Sequence, residues 1–216
     1  DALRQRGAQV RCATLDVGDG PAVHDFIAEL ATSAAPLAGV FHAAMVLDDR
    51  PLAEIDEAAL RRVLAPKAWG AWHLHEATAG LELDHFVMYG SVSALVGNPA
   101  QGAYAAANAY LDGLAAHRRS MGLPALAVSW GALAEVGVVA RDETIERHLR
   151  SLGLEPLRPG RALEALGRAM EEDFGRVGII DIDWARWVRA HAETAWRRLE
   201  PVASAGEAGT GGPGER

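Results

Sequence analysis

The stretch HFVMYGSVSALVGNPAQGAYAAANAYLDGLAAHRRSM, residues 85–121, decides the fold. It opens on an apolar run of strand length, His85–Gly90, and turns through Gly97, Asn98 and Pro99. A long alanine-rich segment follows, Gln101–Met121, whose composition favours helix. Asn98–Pro99 offers a capping residue and then a proline suited to a first helical position. A strand feeding a helix of this length is the repeating unit of a parallel α/β sheet.

The same alternation continues on both sides. Upstream, Ala8–Leu15 reads as a strand and Pro21–Thr32 as a helix with Val23, Phe26, Ile27 and Leu30 inward. Leu37–Ala44 is the next strand, and Ile55–Ala79 is helical in two parts, with Leu60, Val63, Leu64 and Leu74 at helical spacing. Downstream come the strand Ala125–Trp130, the helix Pro159–Glu172 and a final strand, Val177–Ile182. Nearly continuous apolar strands imply burial on both faces, hence a doubly wound parallel sheet between two helical layers.

A chain of 216 residues suits one such domain with a substantial core. Its net charge of -8 repels a phosphate backbone, so no nucleic-acid partner is expected. Cys12 is the sole cysteine, which excludes an internal disulfide and a thiolate metal cluster. It is expected to be an inert buried thiol in the strand Ala8–Leu15, and no metal site is expected. No apolar run approaches the ~18 residues of a membrane span, so a cytoplasmic protein is expected, with no membrane partner. The opening residues DALRQRG are no signal peptide; they read as the last turns of a helix ended by Gly7, as in a domain joined part-way through. Residues 201–216, rich in glycine, alanine and proline, read as a flexible tail or linker.

Ligands of parallel sheets sit beyond the carboxyl ends of the strands, and Ser91 falls there, directly after His85–Gly90. Tyr104 and Asn108 stand four apart on the alanine-rich helix and share one face. A phenol with a pKa near ~10 is a slow acid at neutral pH. A cation beside it stabilises the phenolate, so a lysine is the partner this chemistry requires. Lys67, in LAPKAWG, is the only lysine in the chain.

Here the sequence resembles a known family. GVFHAAMVLDD (39–49), VLAPK (63–67) and Ser91 through Asn108, followed by AYLDGLA, are similar to the ketoreductase domain of modular type I polyketide synthases. That family lies within the short-chain dehydrogenase/reductase superfamily, and its catalytic lysine and asparagine are exchanged relative to most members. Lys67 and Asn108 show the same exchange. The resemblance runs from about residue 1 to residue 190, and it implies a Rossmann-like doubly wound sheet. Residues 1–200 are then the larger, C-terminal part of the catalytic domain, and 201–216 a linker.

The resemblance also implies roles. Tyr104 donates the proton, Ser91 orients the ketone, Lys67 lowers the tyrosine pKa and holds the nicotinamide ribose, and Asn108 anchors a relay water. Asp16 and Val17 match an adenine-contacting pair. His42, Ala43 and Ala44 line a cofactor wall, although a buried core histidine is the alternative for His42. Trp130, Gly131 and Ala132 resemble the loop that meets the nicotinamide carboxamide. Met45 stands where the family usually has glycine.

Leu47, Asp48 and Asp49 resemble the marker of ketoreductases that give the D (3R) hydroxyl, with a surface helix cap as the alternative. Val96 stands where the opposite class often has tryptophan, and Ala106 where the epimerising subtype has proline. The expected product is therefore a D-hydroxyl without epimerisation. Leu133–Arg150 is expected to include a lid, with Val136, Val138, Val139, Leu149 and Leu152 along an acyl channel or in the core. The expected cofactor is NADPH. The expected partners are an acyl carrier domain bearing a phosphopantetheine-linked β-ketoacyl chain and other synthase domains.

The glycine-rich turn that cradles a pyrophosphate at a helix N-terminus is missing in the expected context. The one G-x-G-x-x-G, residues 209–214, follows no strand and reads as linker composition. The expected domain thus lacks its first strand or strands and that turn. Two other readings stay open: a non-catalytic fragment unable to bind cofactor, and a free-standing short-chain alcohol dehydrogenase.

Overall fold

The computed structural model describes residues 2–33, 35–135 and 143–190. The first half contributes α1 (Ala2–Gln5), α2 (Gly20–Ala31), β1 (Gly39–His42), α3 (Glu57–Leu64), α4 (Gly70–Thr78) and β2 (His85–Ser91). There follow α5 (Ser93–Val96), α6 (Gly102–Ser120), β3 (Leu126–Trp130), α7 (Glu143–Ser151) and β4 (Leu154–Glu155). The last described elements are α8 (Pro159–Glu171), β5 (Arg176–Ile179), β6 (Asp181–Ile182) and α9 (Trp184–Ala190).

β1, β2, β3 and β5 form a parallel sheet in that order. Side chains alternate across it with the period of two that a strand imposes. Phe86, Met88 and Ala127 face a core shared with Val23, Ile27, Leu74, Leu111 and Leu114, so α2, α4 and α6 cover that side. Val87, Leu126, Val128 and Ile179 face the other way and pack against Ala162, Leu166 and Ala169 of α8. The expected doubly wound α/β architecture is present.

Four local expectations need correction. Residues 8–15 form no strand: none of the four sheet strands pairs with them, and a strand needs a ladder to satisfy its amides. Cys12 is consequently exposed, not buried. Asn98–Pro99 does not cap the long helix, because α6 begins only at Gly102 and Gln101 occupies its N-cap. The run Val177–Ile182 divides after Ile179, and Asp181–Ile182 pairs antiparallel with Leu154–Glu155. The expected tail, 201–216, lies outside the described residues.

Where residues 8–15 end, the chain nevertheless docks closely. A Cβ at Gly70 would lie 2.7 Å from Val17 Cγ2 and 3.4 Å from His42 Cε1. Gly70→Ala is expected to destabilise the domain by about 1–3 kcal/mol, since neither neighbour can yield without repacking. Thermal unfolding followed by circular dichroism checks this, and adding Val17→Ala should restore most of the loss.

Candidate active site

The helix carrying Lys67 is not regular. Pro66 has no amide to donate and its ring clashes with the preceding turn, and residues Ala65–Trp69 form a π turn between α3 and α4. Such wide turns interrupt the helical ladder and often mark functional positions. Lys67 emerges from this turn with only 3% of its surface exposed. Its Nζ donates to the Tyr89 carbonyl on β2 at 2.8 Å and lies 5.6 Å from the Tyr104 ring centroid. Burial brings the Lys67 pKa down to about 8. The Lys67 carbonyl is engaged as well, accepting from His42 Nε2 at 2.9 Å. Burial holds the His42 pKa below its ordinary value, the hydrogen bond to the Lys67 carbonyl works against that, and the Lys67 charge adds to it.

Tyr104 and Asn108 share a face of α6, as their spacing requires. Asn108 is buried, and its Nδ2 donates to the Tyr104 carbonyl at 2.7 Å. Its Oδ1 is buried with no partner. Gly90 sits tightly against β3, where a Cβ would meet the Val128 carbonyl at 3.1 Å, while Asn108 Oδ1 on α6 would be at an ordinary contact distance of 3.8 Å. Burial pushes the Tyr104 phenol up, the neighbouring Asn108 and Ser91 side chains pull it back, and Asp49 adds an upward push. The phenol hydroxyl donates to Met45 Sδ at 3.8 Å. Ser91 ends β2 half-buried, and its Oγ accepts from the Ser93 amide at 3.2 Å.

The structure therefore gathers Lys67, Ser91, Tyr104 and Asn108, with Asp49 nearby. The other expected residues are spread around this centre. Asp16 is exposed, its carboxylate accepting from the Gly18 amide, while Val17 packs on Gly70. His42 turns its ring into the protein, whereas Ala43 is exposed and Ala44 half-buried at the end of β1. Trp130 buries its side chain in the core beside Tyr89, and Gly131 and Ala132 follow it half-buried.

Leu47 and Asp48 are half-buried, and Asp48 pairs with Arg50 and Arg62. Asp49 accepts from Gln101 Nε2, and the Arg50 amide donates to the Ala100 carbonyl. The 48–50 loop is thereby tied to the start of α6. Val96 borders an apolar cleft with Leu95, Ile180, Ile182 and Trp184, and Ala106 is exposed on α6. Leu149 and Leu152 are described, in α7 and just after it, but Val136, Val138 and Val139 lie outside the described residues.

Sequence reasoning missed three features of the site: the Tyr89 carbonyl that anchors the lysine, the arginine pair on Asp48, and the thioether at the phenol. Pro66 one residue before Lys67 was the available signal for an irregular turn. The carbonyl partner carries no side-chain signature.

The family model for the KR domain matches residues 1–135. The chain belongs to the ketoreductase (KR) domain family. This KR chain is 37% identical over 197 residues to a component of the phenolphthiocerol/phthiocerol polyketide synthase of Mycobacterium tuberculosis, covering 91% of the chain and 9% of that protein. It is 43% identical over 192 residues to polyketide synthase GfsB of Streptomyces halstedii, covering 89% of the chain and 3% of that protein. Among solved structures, A-type ketoreductases from a modular polyketide synthase superpose with a TM-score of 0.87 at 39% identity, covering 94% of this KR chain and 43% of theirs. The chain thus spans a small part of its multidomain relatives and under half of the solved ketoreductase.

KR domains of this fold use a nicotinamide cofactor, and the residues present offer polar groups that fit one. The Lys67 ammonium and Tyr104 hydroxyl are donors, and Asn108 Oδ1 is a buried acceptor without a partner. A glycine-rich pyrophosphate cradle is not found among the described residues. No helix among the described residues is long and apolar enough to cross a membrane.

Proposed function

We propose that residues 1–200 are the proton-donating part of a ketoreductase acting on a β-ketoacyl thioester. The acyl chain is carried on the phosphopantetheine arm of an acyl carrier domain, and residues 201–216 link to other synthase domains in the cytoplasm. The observation that carries this reading is the buried Lys67 ammonium beside the Tyr104 ring, with Asn108 on the same helix.

NADPH, when bound, supplies the hydride that reduces the ketone carbon. Ser91 Oγ–H and Tyr104 Oη–H donate to the ketone oxygen, where negative charge develops, and such aimed donors are the strongest catalytic lever. The Tyr104 proton passes to that oxygen and leaves a phenolate. The Lys67 charge stabilises the phenolate and its Nζ holds the ribose, while Asn108 Oδ1 anchors the water that returns a proton to Tyr104. Asp16, Val17 and the backbone at Ala43, Ala44 and Gly131 border the rest of the cofactor.

The product is the D (3R) alcohol without epimerisation. Support comes from the Leu47–Asp49 motif together with its tie to α6, through Asp49 on Gln101 and Arg50 on Ala100, which connects the motif to the placement of Tyr104. The test uses the intact synthase: fluorescence titration should show NADPH bound more tightly than NADH, and chiral chromatography should show the D-alcohol. An L-alcohol contradicts the stereochemical assignment. A protein that binds neither cofactor would be a structural, non-catalytic domain.

A further inference from the structure

The partner of the Tyr104 hydroxyl is a side chain that has no place in the chemistry just described. The hydroxyl oxygen lies 3.8 Å from Met45 Sδ, within donating distance of the sulfur. Met45 lies in the loop after β1, beyond the carboxyl end of the sheet, and is 38% exposed. A thioether is a weak acceptor on an unbranched chain with three rotatable bonds, so it moves at little cost. A ketone oxygen accepting from a phenol sits at about 2.5–3.0 Å. That is inside the sulfur's distance, and the oxygen and the sulfur cannot both occupy the line of the hydroxyl.

We propose that Met45 is a displaceable positioning residue, which holds the Tyr104 hydroxyl toward the open side of the site and must swing away before a ketone can bind. The proposal rests on the reading of Tyr104 as proton donor. Two effects follow from the geometry. The sulfur competes with the substrate oxygen for the same proton, and the Met45 chain fills space beside the ketone carbon. Both act on binding and vanish once the ketone is seated, so Met45 sets KM and leaves the chemical step alone. Exposure of Met45 to solvent provides somewhere for the side chain to go.

The test compares wild type, Met45→Ala and Met45→Leu in the intact synthase, with a small β-ketoacyl thioester. A weak contact of this kind corresponds to about two- to tenfold in binding. Met45→Ala is therefore expected to lower KM by about that factor, with kcat unchanged within about twofold. Met45→Leu keeps the bulk but not the acceptor, and should fall between the two. In parallel, tyrosine labelled with 13C at Cζ reports on the phenol of the ligand-free protein, with Tyr104→Phe assigning the signal. Met45→Leu should shift the Tyr104 resonance. A KM that rises or stays constant in both variants, or a resonance that does not move, overturns the proposal. Wild-type protein without reductase activity would instead defeat the assignment of Tyr104, and the resonance would still decide whether Met45 engages the phenol.

Discussion

Replacing Tyr104 by phenylalanine is expected to lower ketone reduction by about 10²- to 10⁴-fold, the usual contribution of a positioned acid. Binding of the nicotinamide cofactor should change little, because Lys67 Nζ keeps its own anchor on the Tyr89 carbonyl. Folding should be nearly unaffected. The hydroxyl's hydrogen-bond partner is a thioether at 3.8 Å, and Asn108 is held by the Tyr104 carbonyl, which phenylalanine retains. The measurement pairs steady-state reduction with cofactor fluorescence, so that loss of chemistry separates from loss of binding. A variant that still reduces at a tenth of the wild-type rate would show that the proton comes from elsewhere.

Lys67→Gln is expected to have an effect of similar size, about 10²- to 10³-fold, because it removes the charge that stabilises the phenolate. The pH dependence identifies the group. Burial leaves the Lys67 pKa at about 8, so its charge is present below that pH and lost above it. Wild-type reduction should therefore fall by up to about tenfold per pH unit above 8. Lys67→Arg stays charged throughout that range and should lose this decline, at a lower overall rate because the guanidinium is larger. Stability moves in the opposite direction. Between about 8 and the ordinary lysine value near 10.5, the unfolded chain binds the proton that the folded chain has released, so the fold gains stability as pH rises through that window. A rate profile that stays flat to pH 10 would remove Lys67 from the mechanism.

The sequence showed the sheet because its strands are buried on both faces. Runs such as Phe86–Met88 and Leu126–Val128 have no polar side to disguise them. Tyr104 and Asn108 were legible as a pair because helical spacing alone puts them on one face. Residues 8–15 misled, since a run with Val10, Cys12 and Leu15 in it suggests a strand while the ladder that makes one is non-local. The short β4–β6 pair was invisible for a related reason: two-residue strands have no period to read. What surrounds Tyr104 was the least legible part. Met45 lies 59 residues away from it in sequence, and the lysine's partner is a backbone carbonyl 22 residues on, which any residue type could have supplied. The contacts of Leu47–Asp49 were equally out of reach, since arginines hold Asp48 and Gln101 holds Asp49 only once the chain is folded.

The central claim, that this site completes a hydride reduction of a β-ketoacyl thioester, is tested most directly with deuterium. The intact synthase would be incubated with NADPH deuterated at the transferable position of the nicotinamide, and the product examined by mass spectrometry and NMR. One deuterium at the carbinol carbon is the expected result. Unreduced ketone, or an alcohol carrying no deuterium at that carbon, would contradict it.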